Sequence, residues 1–481
     1  MTGPGSPAGY AGHGGSPALI VRSRRILTAE GWLDGAVEIS DGIIRGLHPA
    51  GTSWPAAART VDAGTNLVLP GLVDTHAHMR DPGFSHKEDW AHGSAAALAG
   101  GVTSVVDMPN VDPPVNTVER FLAHRANAQA GARTDFGHNV AATIPAEIGP
   151  LAASGVTAFK VFMVRDARRA YPHMPGIAVD DRAELLRIAE AVAATGKVLM
   201  VHAHDSAIGD LYAERAISQW GRGPLSYARS LRMGDGLVMD SGIATMLAIQ
   251  RATGVRLHIL HVGTPGGIAM IRAAKADGLE VTAEANPFHL FVVNSWNTIV
   301  QQGPWVLGQW LPEHHSDALW EALLDDTIDV IGSDHTPHTR AEKEPGWEDM
   351  FATPGGSPTI QHYLSLLLSA VAEGRLTVEQ VVRLAATGPA RLLGWQGQKG
   401  EIRVGANADL VVADPTAERV IRSEDVLSKC GWTALDGRRV HGVPTMTIVR
   451  GDVAMQEGRV VAAPGSGRFV DAATPGDRRA R

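Results

Sequence analysis

From about Leu69 onward the chain repeats one rhythm: an apolar helical segment ends in glycine and a β-branched run follows at once. "GSAAALAGG" leads to "VTSVVDMPN", "PLAASG" to "VTAFKVFM", and "DRAELLRIAEAVAATG" to "KVLMVHAH". The same occurs at "IATMLAIQRATG" and "VRLHILHVG", at "IRAAKADG" and "LEVTAEA", and at "SDALWEALLDDT" and "IDVIGSDH". A helix closed by a glycine cap and followed by a strand apolar on both faces is the mark of parallel βα units. Adding "LVLPGLVDTHAH" and a weaker strand near "ARTDFGHNVAA" makes about eight strands. An α/β chain of this kind predicts a (β/α)8 TIM-type barrel, with a doubly wound open sheet as the competing arrangement.

Outside this region the period changes. "ALIVRSRRILT" and "GAVEISDGIIRGL" alternate as short strands, with Asp41-Gly42 a hairpin turn signal. "TVEQVVRLAATGPARLLG" reads as helix with a Thr377/Gln380 capping box, after which "GEIRVGANADLVVAD" and "TMTIVRGDVAMQEGRVV" return to strands. Residues 18–68 and 396–463 therefore predict one small β-sandwich domain assembled from both chain ends, with the barrel at 69–395. Residues 1–17 and 464–481, rich in Gly, Pro and charge, read as flexible tails.

Composition narrows the functional classes. Of 481 residues 44% are hydrophobic and 20% charged, enough apolar material for a sizeable core. The formal net charge is -8 without a basic cluster, which argues against nucleic acid as a partner. Cys430 is the only cysteine, so neither a disulfide framework nor a thiolate zinc site is expected. No apolar run reaches the roughly 18 residues of a membrane span, and the N-terminal stretch lacks the charged and apolar regions of a signal peptide. A cytoplasmic protein without membrane contact is the expectation.

The chemistry-bearing residues stand out against this background. "VTAFKVFMV" reads as a strand buried on both faces, yet Lys160 lies at its centre, where a bare ammonium costs several kcal/mol. In "GLVDTHAHMRDPG", His76 and His78 are two apart and so share one face of a strand. His202 in "VHAHD", His261 in "LHILHVG" and Asp334 in "IGSDHTPH" end later strands. Imidazoles and carboxylates suit zinc and its neighbours without any thiolate, and in a closed barrel all strand ends converge on one mouth. A single such histidine could equally be a hydrogen-bonded core residue, and His204 and His258 could stand beside their neighbours as supporting or purely structural groups.

The whole set, with "SDHTPH", "KGEIRVGANADLVVADP" and "GWTALDGRRVHGVPTMTIVRG", resembles the cyclic-amide branch of the amidohydrolase superfamily: dihydroorotases, allantoinases, hydantoinases and dihydropyrimidinases. The resemblance implies that Lys160 carries a CO2-derived carbamate bridging two divalent metal ions, expected to be Zn2+. It implies His76 and His78 with Asp334 on one ion, His202 and His261 on the other. A hydroxide shared by the ions would attack a ring amide carbonyl, and Asp334 would carry its proton to the leaving nitrogen. A homo-oligomer, dimer or tetramer, acting on a small cyclic amide is implied as well.

Arg80 and Asn110 match the positions that hold the substrate carboxylate in dihydroorotases, and His338 and His289 match positions near the substrate. Arg80 could instead pair with Asp81 or Glu88. Other features lean toward allantoinases and hydantoinases: "AFKVFM", Phe288 in "NPFHL", and "VLGQWLPEHHSDALW" after it. Trp296, Trp305 and Trp310 suggest a bulkier, less polar ring, unless they pack their loop onto the barrel or a subunit interface. A non-catalytic scaffold would be expected to have lost ligands, and all six positions are filled. Deaminases of the superfamily usually lack the bridging lysine, so Lys160 disfavours them.

Overall fold

The computed structural model describes residues 18–164, 176–292, 295–307 and 312–471. Five strands lead in: Leu19–Thr28 (β1), Gly31–Ser40 (β2), Ile43–Pro49 (β3), Arg59–Asp62 (β4) and Leu67–Pro70 (β5). The turn between β2 and β3 is Asp41-Gly42, with φ of 54° and 75°. Both residues are left-handed, the hairpin geometry that an Asp-Gly pair favours.

Eight parallel strands follow: Leu72–Ala77 (β6), Val102–Asp107 (β7), Asp135–Ala141 (β8), Ala158–Phe162 (β9), Val198–His202 (β10), Arg256–Ile259 (β11), Val281–Ala285 (β12) and Val330–Ile331 (β13). Their spatial order is their sequence order, which a doubly wound sheet does not have. The ring closes between its last and first members through a parallel bridge of Ala77 with His335. The His78 N–H donates to the His335 carbonyl at 2.9 Å, and the Ser333 N–H to Asp74 Oδ1 at 2.8 Å. The fold is a TIM-type barrel.

Strand alternation decides what faces inward. Lys160 on β9 lies opposite Met200 on β10, Met200 opposite His258 on β11, and His258 opposite Thr282 on β12. Below this row Val73, Val106, Ala158, Val198 and Val330 pack around Trp395. A Cβ on Gly137 would lie 2.4 Å from Thr157 Oγ1 and 2.9 Å from the Trp395 ring, so the packing there admits only glycine. The barrel thus has an apolar floor beneath a polar upper layer.

The chain ends meet in a second sheet, completed by Leu410–Val420 (β14), Arg439–Val449 (β15), Asp452–Gln456 (β16) and Arg459–Val460 (β17). Its order is β17-β16-β15-β14-β5-β1-β2-β3, with β4 beside β1. The Ile44 N–H donates to Ala406 O at 2.9 Å and the Ala408 N–H to Gly42 O at 2.8 Å, so the far edge returns to the C-terminal half. The sandwich is therefore one continuous sheet curled around Val21, Val37, Ile44, Leu410 and Ile448.

One expectation needs correction. Residues 464–471, read as the start of a flexible tail, lie along the base of β8. The Phe136 N–H donates to Arg468 O at 2.9 Å and the Val470 N–H to Phe136 O at 2.8 Å. Phe469 packs on Phe121 and Phe136, which supplies the apolar burial that the Gly-rich composition of the segment conceals. Among the described residues no helix is long and apolar enough to cross a membrane.

Barrel and sheet are joined by charge as well as by apolar contact. The buried Lys399 ammonium meets Asp135 at the start of β8 and Asp409 just before β14, and Arg450 reaches Asp135 as well. Removing one member of a buried ion cluster leaves uncompensated charge, at a cost of about 3–5 kcal/mol. Lys399→Met is expected to lower stability by that order, read as a fall in the urea unfolding midpoint. An unchanged midpoint would show that Arg450 alone neutralises both carboxylates.

Candidate metal centre

The residues singled out along the sequence come together at the carboxyl ends of the barrel strands. His76 lies in β6 and His78 one residue beyond its end. Their Nε2 atoms stand 3.3 and 3.5 Å from Asp334 Oδ1, with the three donor atoms within 4.8 Å of one another. His202 ends β10, and its Nδ1 faces His261 Nε2 at 2.9 Å. The His76 and His261 ring centroids are 5.6 Å apart, so the two groups adjoin. Lys160 enters from β9, wholly buried.

Three of the residues at this mouth have left-handed backbone: Arg80 at φ 61°, His261 at 36° and Asp334 at 45°. Such φ values in non-glycine residues cost on the order of 1–3 kcal/mol each and cluster at functional sites. Each follows the end of a barrel strand, where the chain must turn sharply while its side chain stays at the mouth.

The electrostatics favour cation binding. Burial drives His78 and His261 down to about 3 and His202 well below the usual imidazole value. These rings are therefore neutral, the state that ligates a metal. Burial works against ionisation of Asp334, but the charge of His76 and the hydrogen bond from His78 outweigh it and hold the carboxyl well below its ordinary value. Burial likewise pushes the Lys160 ammonium down to about 7, with Asp334 and Glu284 pulling the other way. Lys160 Nζ has no hydrogen-bond partner among the described residues and sits 4.3 Å from the Phe162 ring centroid.

Sequence reasoning passed over the group beneath the histidines. Glu284 on β12 is fully buried, with Oε1 2.7 Å from His76 Nδ1 and Oε2 accepting from Thr75 Oγ1 at 2.9 Å. The His261 N–H reaches Oε1 at 3.3 Å, and His258 Nε2 stands 3.8 Å from Oε2. A carboxylate on Nδ1 fixes the His76 ring so that Nε2 faces Asp334. A Cβ on Gly332 would meet Glu284 Oε2 at 2.3 Å, which explains the glycine in "IGSDH". The available signal was the one that exposed Lys160: a charge inside a strand otherwise buried and apolar. His258 donates to or accepts from Thr282 Oγ1 at 2.8 Å and lines the layer below, rather than standing with His261.

The residues assigned to substrate fall in different places. Asn110 Oδ1 lies 2.7 Å from His78 Nδ1, where it orients that ring as Glu284 orients His76. His289 sits on a short helix, Pro287–Phe291, capped by Asn286, whose Nδ2 reaches Asp334 Oδ2 at 3.4 Å. Arg80 is buried; its Nη2 stands 3.3 Å from His338 Nε2, while Nε and Nη1 have no partner among the described residues. Neither Asp81 nor Glu88 takes it up, since Glu88 is engaged by His335 and Ser428. Lys87 Nζ stands 3.4 Å from His338 Nδ1 and pairs with Glu342 at 2.6 Å. Trp305 packs edge-on against Trp432, whose indole N–H donates to the His338 carbonyl at 2.7 Å. Trp296 is partly exposed beneath Arg232, and Trp310 lies outside the described residues.

Four neutral or neutralisable imidazoles, a carboxylate and an unpaired buried amine form a donor set that fits divalent metal ions. Comparison with known proteins agrees with this chemistry. An L-hydantoinase of Paenarthrobacter aurescens is 31% identical over 461 residues, covering 94% of this chain and 97% of that protein. A dihydroorotase of Halobacterium salinarum is 35% identical over 436 residues, covering 88% and 96%. A solved structure of the L-hydantoinase (dihydropyrimidinase) from Arthrobacter aurescens superposes with a TM-score of 0.88 at 29% identity, covering 95% of this chain and all of that one. Residues 67–454 match the model of the amidohydrolase family, and with the barrel and its cluster of histidines in place, the chain belongs to that family.

Proposed function

We propose that this chain hydrolyses a ring amide bond, and that the ring carries a carboxylate, as in a dihydroorotase-like reaction. The observation that carries the second half is the buried Arg80 guanidinium, with two nitrogens left unpartnered among the described residues beside the metal centre. A planar fork with unused donors is the group that recognises a carboxylate, and burial strengthens that interaction. Burial pulls Arg80 down to about 10, with Asp107 and Glu342 opposing, so it remains charged at neutral pH.

His76, His78 and Asp334 would hold one divalent ion and His202 and His261 the other, with Lys160 as a carbamate between them. The donor set of imidazole and carboxylate suits zinc. Two such ions, when bound, make a water acidic enough to ionise near neutral pH and polarise an amide carbonyl. The residues of the chain then divide the work. Lys160, with its ammonium destabilised by burial, presents a neutral amine to CO2; forming the N–C bond releases one proton and leaves a carbamate anion. Asp334, held ionised by its histidine neighbours, accepts a proton from the attacking water and passes it to the departing ring nitrogen. Arg80 fixes the ring through its carboxylate, and Glu284 and Asn110 keep His76 and His78 in register.

A second reading has support of its own: an uncharged ring such as hydantoin, favoured by the likeness to L-hydantoinase over nearly the whole chain. Rates of ring opening for L-dihydroorotate, hydantoin, allantoin and dihydrouracil decide between them.

Three outcomes are expected. Lys160→Ala should lose bound metal and turnover together, read by metal content per chain; full activity without an added short carboxylic acid would refute the carbamate. Glu284→Gln should weaken metal binding roughly 10–100-fold, as loss of a group orienting a ligand does, measured by competition with a chelator. Arg80→Met should cut kcat/KM for a carboxylated ring about 100-fold or more, since charge-assisted bonds contribute roughly 1.5–3 kcal/mol each, and spare an uncharged ring. Equal losses on both substrates would make Arg80 a structural residue.

A further inference from the structure

Outside the barrel wall lies a second group of metal-capable side chains. On β8, Asn139 points inward and donates to Thr75 O at 3.2 Å, so His138 next to it points outward toward the surrounding helices. There it meets His124, on the helix Val118–Gly131, with ring centroids 4.3 Å apart. Asp107, at the end of β7, faces His124 Nε2 through Oδ2 at 2.9 Å. One donor atom from each of Asp107, His124 and His138 lies within 4.8 Å of the others, and all three residues are buried.

What these residues lack is as informative as what they have. Both ring nitrogens of His138, which is 1% exposed, are without a hydrogen-bond partner among the described residues, and so is His124 Nδ1. A neutral imidazole has one donor and one acceptor, and leaving both unmet inside a wall of Trp90, Phe121, Phe136 and Phe469 is costly. Something that accepts nitrogen lone pairs and tolerates a carboxylate would satisfy the arrangement. Asp81 is close enough to interact electrostatically with both His124 and Asp107, adding a second negative charge.

We propose that Asp107, His124 and His138 form a third metal site, distinct from the catalytic pair, which takes a divalent transition ion. Two imidazoles and one carboxylate suit zinc, cobalt or iron(II) in preference to calcium or magnesium, which favour oxygen alone. The site ties β7 and β8 to the helix packed on them. It also bears on the mouth of the barrel, because Asp107 Oδ1 accepts from the Met79 N–H at 2.8 Å, between His78 and Arg80. Its ion would be structural, since all three ligands are buried and His138 packs among Trp90, Phe121, Phe136 and Phe469.

The test is metal counting by mass spectrometry on the full chain loaded with zinc and passed through a desalting column. Wild type is expected to hold three equivalents, and His138→Phe to hold one fewer. Lys160→Ala, stripped of the catalytic pair, should retain one equivalent that His138→Phe then removes from the double variant. If His138→Phe does not fold, diffraction from wild-type crystals at the zinc absorption edge gives the same answer, through an anomalous peak between the three side chains. Metal content indifferent to His138, or no anomalous peak there, would overturn the proposal and leave a buried water as the partner of His138. Because the retained equivalent is counted in a variant lacking the catalytic metals, this outcome does not depend on the reaction proposed above.

Discussion

Charge in the barrel interior has to be balanced without water, and the rest of the centre is arranged around that constraint. Lys160, Glu284 and Asp334 bring one positive and two negative groups into a volume from which solvent is excluded. Coulomb interactions there are several-fold stronger than at the surface, so each group shifts its neighbours' protonation. Glu284 meets the constraint with four partners drawn from β6, β11 and the interior layer: Thr75, His76, the His261 backbone and His258. Lys160 Nζ has no hydrogen-bond partner among the described residues, and only the nearby charges of Asp334 and Glu284 oppose its burial. Burial thus destabilises the Lys160 ammonium toward the neutral amine, the state that the carbamate proposed above requires.

The curled sheet formed by the chain ends is more than an appendage. From its C-terminal half a segment reaches back over the mouth of the barrel. Ser428 and the Lys429 N–H bond Glu88, Lys429 pairs with Asp89 at 2.9 Å, and Trp432 holds the backbone at His338. Glu88 in turn bonds His335, the residue whose bridge to Ala77 closes the ring of strands. Closure of the barrel, position of the Arg80–His338 pair and docking of the terminal sheet are therefore one connected set of contacts. Disturbing the sheet would be felt at the candidate site through these bonds.

The contacts of Trp305 and Asn110 bear on the substrate signals read from the sequence. Trp305 is occupied by Trp432, which favours a packing role for that ring, and Asn110 orients His78 directly. Arg80 keeps two guanidinium nitrogens without a hydrogen-bond partner among the described residues. The features that read from the sequence as competing substrate signals thus carry different structural loads.

The strand rhythm, the parallel barrel, the Asp41-Gly42 turn and the residue types of the candidate metal centre were legible in the chain itself, because each depends on local period, on turn stereochemistry or on a charge placed where neighbours are apolar. Lys160 announced itself by that last rule. Glu284 obeys the same rule in "LEVTAEA", but with Glu280 in the same segment a second carboxylate there does not by itself mark the buried one. What the sequence could not decide was which distant groups face one another: that His78 takes Asn110, that His76 takes Glu284, that Arg80 escapes both Asp81 and Glu88, and that Asp107, His124 and His138 converge outside the wall. Those pairings arise from strand register and the closing of the ring. They join residues up to about two hundred and fifty positions apart, a separation that no local pattern encodes.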